Sequence, residues 1–372
     1  MKILQHIGTC LSIFSMVCGA LIYNRRNQLS SAHRSIKSNE DLTIIIPARN
    51  EAQRLPRLLQ SIKQQQKTYE IIVMDDGSSD DTRSVARSYG ASVYTTKTHI
   101  DNGWHGKSLA CFQGAQQAKF DLFLFVDADV VFRYPNSINT ILASYEKQQN
   151  RGLLSIQPYH QTYRFYESFS AIFNLLTVVG MNCFSTLSRH KHMNLAFGPV
   201  TLMNRRDYFQ TQGHRNAQNS IIEGFALGQA FQDAKLPVTL FEGSDDVQFR
   251  MYEEGMTSII QGWTKHFSVG ANQTETPVMF AVVMWLVGSL TTSGLLILSF
   301  IGKPIYKYVS RLAYLIYTLQ FIALHRRVGA FSMILLTFHP ILLFFFIIIF
   351  MNSWRNTHVV KSVKWKGRTY HI

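Results

Sequence analysis

Two aspartates one residue apart, Asp127 and Asp129, close an unbroken apolar run, Leu122–Val126. Carboxylates at that spacing beyond a strand end supply hard oxygen ligands for a divalent cation, magnesium or manganese. A cation held there bridges diphosphate oxygens and acts as a Lewis acid on a departing diphosphate. Two more polar clusters follow apolar runs: Pro47-Ala48-Arg49-Asn50-Glu51 after Leu42–Ile46, and Asp75-Asp76-Gly77-Ser78-Ser79-Asp80 after Glu70–Met74. Asp76 suits a contact to a base or ribose. Lys107, in Gly103-Trp104-His105-Gly106-Lys107, opens a helical stretch and adds positive charge near phosphate. One acid at a strand end is often only a helix cap, and Ser79, Asp80 and Asp81 are of cap type. Three clusters at three strand ends point instead to one ligand, a nucleotide diphosphate with its cation. No Gly-x-x-x-x-Gly-Lys-Ser/Thr loop is present, and no Gly-x-Gly-x-x-Gly follows the first strand, which argues against P-loop kinases and dinucleotide-dependent oxidoreductases.

The elements that must position these residues alternate. Leu42–Ile46 is β-branched and continuous, the pattern of a buried parallel strand. Leu55, Leu58, Leu59 and Ile62 then recur at helix spacing. Glu70–Met74 is a second strand, a helix runs to Tyr89, Ala91–Tyr94 is a third strand, Lys107–Ala118 a helix and Leu122–Val126 a fourth strand. Such alternation predicts an α/β domain with a mostly parallel, Rossmann-like sheet covered on both faces, with ligands bound beyond the carboxyl ends of the strands.

The 372 residues carry a net charge of +14, unevenly spread. Residues 1–40 hold +4, residues 302–372 hold +10 with no acid, and residues 41–301 balance to zero. Basic charge beside apolar runs anchors to an anionic membrane face and is not a nucleic-acid footprint. A chain that is 47% hydrophobic is not disordered, and four scattered cysteines form neither a disulfide framework nor a zinc site. Residues 7–23 are uncharged and followed by Arg25 and Arg26, which predicts a transmembrane anchor over 1–25 with its start outside and the following domain cytoplasmic. Residues 277–301 and 328–351 read as spans, and Leu312–Leu324 as a short tilted or interfacial segment. Two C-terminal spans return the basic tail, 352–372, to the cytoplasm but leave Arg326-Arg327 outside; three do the reverse. An even number is expected. The expected organisation is therefore an anchor, a cytoplasmic domain over 40–272 with an interfacial helix near 165–184, a membrane region over 277–351 and the tail.

IIIPARNE (44–51), VMDDGSSDDT (73–82), GWHGKS (103–108) and VDADV (126–130), in this order and spacing, resemble family 2 glycosyltransferases of the GT-A fold. GWTKH (262–266) and KWKGR (364–368) extend the likeness toward the branch that glycosylates membrane lipids. FYESFSAIFNLLTVVGMN (165–182), IIEGFALG (221–228) and LHRRVG (324–329) resemble members whose acceptor is a carotenoid acid. The resemblance implies an inverting UDP-glucose-dependent transferase in the bacterial cell membrane, associated with other carotenoid enzymes. By position, Asp76 contacts uridine, Asp127 the ribose or diphosphate and Asp129 the metal, while Pro47, Arg49 and Glu51 line the nucleotide pocket. Trp104, Trp263 and Lys265 would meet acceptor or sugar.

Two departures stand out. Many members carry Glu-Asp where this chain has Glu223-Gly224, and that Asp usually serves as base. Either Glu223 replaces it, or Glu223 only pairs with a cation and no base is needed. A hydroxyl acceptor must be deprotonated, whereas a carboxylic acid is already ionised at neutral pH. The Gln-x-x-Arg-Trp motif of processive synthases is absent too; Gln261-Gly262-Trp263-Thr264-Lys265 stands there. The competing readings are transfer to a lipid hydroxyl or polyprenyl phosphate, and a non-catalytic nucleotide-sugar sensor.

Overall fold

The structure is a computed structural model that describes residues 2–29, 40–97, 104–189, 195–218, 220, 222–242, 245–271, 273–300, 304–360, 362–365 and 368–371. In chain order the elements are α1 (Lys2–Ile22), β1 (Leu42–Ala48), α2 (Leu55–Lys63), β2 (Glu70–Asp75), α3 (Thr82–Ser88), β3 (Ser92–Thr95), α4 (Lys107–Gln117), β4 (Leu122–Val126), β5 (Val130–Phe132), α5 (Ser137–Glu146), β6 (Leu153–Ile156), β7 (Tyr159–Gln161), a 3-10 helix (Phe165–Ser170), α6 (Ala171–Val179), β8 (Val200–Asn204), α7 (Arg205–Gln210), α8 (Glu223–Asp233), β9 (Val238–Phe241), β10 (Val247–Phe249), α9 (Met256–Ala271), α10 (Thr276–Leu298), α11 (Pro304–Arg326), β11 (Gly329–Ala330), α12 (Met333–Thr337), α13 (His339–Arg355), β12 (Ser362–Trp365) and β13 (Arg368–His371). They form two compact units. A sheet unit comprises Asn27–Tyr159 and His192–Arg250, and a helical unit comprises Met1–Arg26, His160–Lys191 and Met251–Ile372.

The expected domain over 40–272 is thus divided. Residues 160–191 and 251–271 group with the apolar helices because their own faces are apolar and aromatic. Phe169 meets Phe345 at 4.9 Å, and Phe173 stacks on Trp263 at 4.9 Å. The expected interfacial helix is a 3-10 turn followed by α6, together shorter than a span.

In the sheet unit the strand order is β3-β2-β1-β4-β8-β6-β9. β1 pairs in parallel with β2 and β4, with Ala48 opposite Asp75. β8 runs antiparallel to β4 and β6, and its Val200 faces Val126. All five residues of β4 are buried, and α4 packs closely on the sheet because Gly114 lacks a side chain: a Cβ there would lie 2.5 Å from Ile45 Cγ2. The first four strands and three helices follow the expected alternation. β6, β8 and β9 complete the sheet beyond it.

His214 packs at a tilt against Phe125 of β4, ring centres 4.6 Å apart, and its Nδ1 lies 3.0 Å from the Tyr208 hydroxyl. Gly213 permits this: its φ is +47°, and a Cβ would meet the Tyr208 ring at 2.3 Å. Burial takes the His214 imidazole down to about 3 from 6.5. The unfolded chain therefore binds the extra proton between those values, so stability is fully present above about 6.5 and declines as pH falls toward about 3.

In the helical unit α1 and α10 lie antiparallel, Gly8 against Leu295, Ser15 against Gly288 and Gly19 against Trp285. Small residues at these crossings admit close helix approach. α11 is longer than the apolar stretch 312–324 expected, and Tyr317 Oη donates to the Trp285 carbonyl at 2.6 Å. Among the described residues three helices are long and apolar enough to cross a membrane: Gln5–Ile22, Thr276–Leu298 and His339–Val360. The tail carries an antiparallel hairpin, β12 on β13.

The His214 environment gives a test. The thermal midpoint of the detergent-solubilised protein should fall as pH is lowered from about 6.5, and His214→Gln should flatten that dependence. A pH slope identical in the two proteins would remove His214 as its source.

Candidate active site

The loops after β1 and β2 are stitched together. Asn50, at φ +53°, accepts from Ser79 N at 2.9 Å and its own N–H donates to Ser78 Oγ at 3.0 Å. Glu51 N donates to Thr82 Oγ1 at 2.8 Å, and Ala52 N to Asp80 Oδ2 at 3.1 Å. Asp80 is thus a loop fastener, held below the usual carboxylate range: burial opposes its charge, and the bonds from Thr82 and Ala52 outweigh it. Asp75 is fully buried, accepts from Ser78 N at 3.1 Å and pairs with Arg83 at 3.3 Å. Its role is to shape the turn.

Asp76 is the acid set at the strand end. Its Oδ1 accepts from Thr96 Oγ1 at 3.1 Å, and Arg49 Nη1 lies 3.9 Å from its Oδ2 and 3.2 Å from its carbonyl. Asp76 and Arg49 therefore meet. Pro47 is half-buried on β1. Glu51 is turned aside onto Arg54 at 3.1 Å, an (i, i+3) pair at the start of α2.

Lys107 begins α4 directly after Gly106, whose φ is +83°. A cation at a helix N-terminus is disfavoured by the helix dipole. Here it is compensated by two carboxylates. Nζ lies 2.7 and 2.8 Å from the Asp127 oxygens and 2.5 Å from Glu223 Oε1, and donates to the Gly198 carbonyl at 3.2 Å. Burial works against the ammonium, yet Asp127 and Glu223 together hold it above the usual lysine range. Burial raises the Asp127 carboxyl, Lys107 opposes that, and Asp129 and Glu223 add to it; the net direction is upward. Lys107 was expected to face phosphate. In this structure it links the end of β4 to the start of α8. Cys111, one turn along α4, is a buried thiol raised by burial.

Glycines make this junction possible. A Cβ on Gly198 would sit 2.6 Å from Glu223 Oε1 and 3.3 Å from Lys107 Nζ. A Cβ on Gly224 would sit 2.1 Å from the Ala196 carbonyl oxygen, and one on Gly228 2.6 Å from the Leu195 carbonyl carbon. One face of α8 thus lies directly on the backbone before β8, and position 224 has no room for an aspartate. The role of Gly198 escapes sequence reading. The Gly-x-x-x-Gly spacing of 224 and 228 was its one visible sign.

The two tryptophans assigned to acceptor or sugar are packing residues. Trp104 is 8% exposed, its Nε1 donates to Ser108 Oγ at 2.9 Å, and its ring lies against Phe112. Trp263, in the helical unit, is 6% exposed and donates to Ser170 Oγ at 3.1 Å between Phe173 and Tyr252. Large apolar rings with a satisfied N–H are stable buried, and no face of either is free for a sugar. The Lys265 side chain lies outside the described residues.

Comparison with known proteins decides the family. The model for glycosyl transferase family 2 matches residues 43–208. The chain is 52% identical over 374 residues to 4,4'-diaponeurosporenoate glycosyltransferase of Staphylococcus aureus (strain USA300), covering all of this chain and 99% of that protein. The chain belongs to glycosyl transferase family 2. The same protein from strain MRSA252 is 51% identical over 378 residues. Among solved structures, a mannosyltransferase from Pyrobaculum calidifontis in complex with GDP-Man and Mn2+ superposes with a TM-score of 0.52 at 14% identity, over 96% of this chain and 99% of that one. The sheet unit is a GT-A fold, and this family 2 member is a membrane-associated glycosyltransferase.

Asp127 and Asp129 flank one tight turn, in which Val130 N donates to the Asp127 carbonyl at 3.1 Å. β5 pairs with β10, and Arg250 N donates to the Asp129 carbonyl at 3.2 Å. Among the described residues no group of three or more His, Cys, Asp or Glu is placed to hold a metal ion. Two hard carboxylates on one turn fit a cation completed by phosphate oxygens and water, the usual pattern for magnesium.

The packing of α8 gives a second test. Gly224→Asp, which restores the common Glu-Asp pair, should destabilise the protein by at least about 1–3 kcal/mol through overpacking and should lower transfer. A variant of unchanged thermal midpoint and activity would contradict the contact at Ala196.

Proposed function

We propose that this chain transfers glucose from UDP-glucose to the carboxyl group of a C30 carotenoid acid, 4,4'-diaponeurosporenoate, giving a glycosyl ester with inversion. The full-length identity to the Staphylococcus aureus enzyme supports the acceptor class. The observation that carries the chemistry is Gly224: with the Ala196 carbonyl 2.1 Å from any Cβ, the position of the usual base admits no side chain. An alcohol acceptor would need such a base, whereas a carboxylate arrives ionised.

In this reading Asp76 and Arg49 receive the uridine end, and Asp127 and Asp129 hold a divalent cation with the diphosphate. When bound, the cation supplies charge neutralisation for the departing UDP. A carboxylate oxygen of the acceptor forms a bond to the anomeric carbon from the face opposite the diphosphate as the bond to UDP breaks. No proton is removed. Glu223, already engaged by Lys107, orients this ion pair and is not a base. The donor is made in the cytoplasm, so the sheet unit faces inward, as Arg25 and Arg26 after the first apolar helix favour.

The product is the test. Membranes containing the protein, given UDP-glucose and the carotenoid acid, should yield a glucoside whose sugar is released by mild alkali; the matching alcohol should be a far poorer acceptor. Glu223→Gln should retain measurable transfer, since losing a true base removes about 10²–10⁴-fold. An alkali-stable product, or equal use of the alcohol, would contradict the ester and favour a lipid glycoside.

A further inference from the structure

Residues 339–360 are long and apolar enough to cross a membrane, but the packing of α13 is that of a helix that starts inside one. Three helix ends of the helical unit share one level. Arg327, after α11, lies over the Tyr23 ring at 3.3 Å and donates to the carbonyls of Tyr23 and Arg25, at the end of α1. Arg25 N donates to the Phe184 carbonyl at 3.0 Å, and Asn24 Nδ2 to Thr186 Oγ1 at 2.7 Å. Glu275, before α10, donates to Asn182 Oδ1 at 2.9 Å and accepts from Ser188 Oγ at 2.7 Å. The segment 182–188 therefore ties the end of α1 to the start of α10, and Arg327 ties the end of α11 to both. α10 leaves this level and α11 returns to it.

Depth follows from helix rise. At 1.5 Å per residue, Ser289 lies about 20 Å along α10 from Glu275, and Tyr314 about 20 Å along α11 from Arg327. The first residue of α13 is held at that depth. His339 Nδ1 is 2.6 Å from Ser289 Oγ, and its ring stacks on Tyr314 at 5.1 Å. Tyr314 Oη also donates to the Thr337 carbonyl, at the end of α12, at 2.7 Å. A hydrocarbon core is about 30 Å thick, so the α12–α13 junction lies within it. The approach to α12 lies near the shared level: His160 N donates to the Val328 carbonyl at 2.9 Å, and Phe331 meets His160 at 5.5 Å.

The far end of α13 comes back. Asn352 Nδ2 donates to Thr264 Oγ1 of α9 at 3.3 Å, about 20 Å of helix from His339. α9 is tied to the shared level at both ends. Met251 N, before it, reaches His160 Nε2 at 3.5 Å, and the Gln273 carbonyl, after it, accepts from Asn182 Nδ2 at 3.2 Å.

We propose that α12–α13 is a re-entrant helical hairpin, entering and leaving the bilayer on one side, and that α1, α10 and α11 are the full spans. Phe338, Ile341, Phe344 and Ile348, each half or more exposed, then meet acyl chains. Arg25, Arg26, Arg326, Arg327 and the basic tail fall on the same side, which neither count of complete C-terminal spans achieves, while Lys307 and Arg311 fall on the other. On the opposite side Arg311 lies over Phe300 at 5.6 Å, as a cation reaching for that interface does. The hairpin rests on this packing alone; naming its side cytoplasmic rests on the proposed function.

Single cysteines in a cysteine-free, full-length chain test this with a membrane-impermeant maleimide on intact and permeabilised spheroplasts, transfer activity serving as the check of folding. Tyr308→Cys should label in intact spheroplasts, Val359→Cys only after permeabilisation, and Phe338→Cys only in detergent. Labelling of 308 and 359 from the same side, or of 338 without detergent from the side opposite 359, would overturn the hairpin. Labelling of 359 outside and 308 inside would support the hairpin and overturn the cytoplasmic reading. Should the cysteine-free chain misfold, green fluorescent protein or alkaline phosphatase inserted after Arg327, or fused to the carboxyl terminus of the natural chain, reads the two ends of the segment: the same reporter active at both positions supports the hairpin, and different reporters contradict it.

Discussion

One half-buried ammonium organises the site. Lys107 Nζ reaches Asp127, Glu223 and the Gly198 carbonyl within 3.2 Å, so three separate pieces of chain converge on a single charge. Remove that cation and two carboxylates would face each other, with Asp129 adjacent. A buried pair broken on one side is costly because a charge is left uncompensated. The ion pair also fixes where Asp127 stands in this structure.

The glycines follow from that constraint. α8 must bring Glu223 to Lys107, and it does so by lying on the backbone of residues 195–198, where Gly224 and Gly228 offer no Cβ. The cost is chemical. An aspartate cannot occupy position 224, so the family's usual base is given up for a close helix contact. In the proposed reading an acceptor that is already an anion suits such a site, so the lack of room for a Cβ at position 224 bears on the type of bond formed.

Much of the sheet unit was legible in the sequence. β1, β2 and β4 are continuous β-branched or aromatic runs, and their ends carry the polar clusters, so pattern and chemistry agree. β6, β8 and β9 are not legible because they are short, two of their three pairings are antiparallel and all three join residues far apart in sequence. Trp104 and Trp263 misled because a tryptophan beside a motif looks the same whether its ring faces a sugar or a neighbouring phenylalanine; only packing decides. The carboxylate partners of Lys107 are not legible, since residue type reveals a charge and not its partner. In the helical unit, composition identifies apolar length, but the depth at which α13 begins depends on contacts to Ser289 and Tyr314, more than twenty residues away.

The account turns on Asp127 and Asp129 acting together on a nucleoside diphosphate with a divalent cation. Calorimetric titration of UDP into the detergent-solubilised full-length protein measures this directly. UDP should bind with manganese or magnesium present, and binding should be lost both with chelator and in Asp129→Ala. UDP binding of equal affinity with the cation chelated, or in Asp129→Ala, would contradict it.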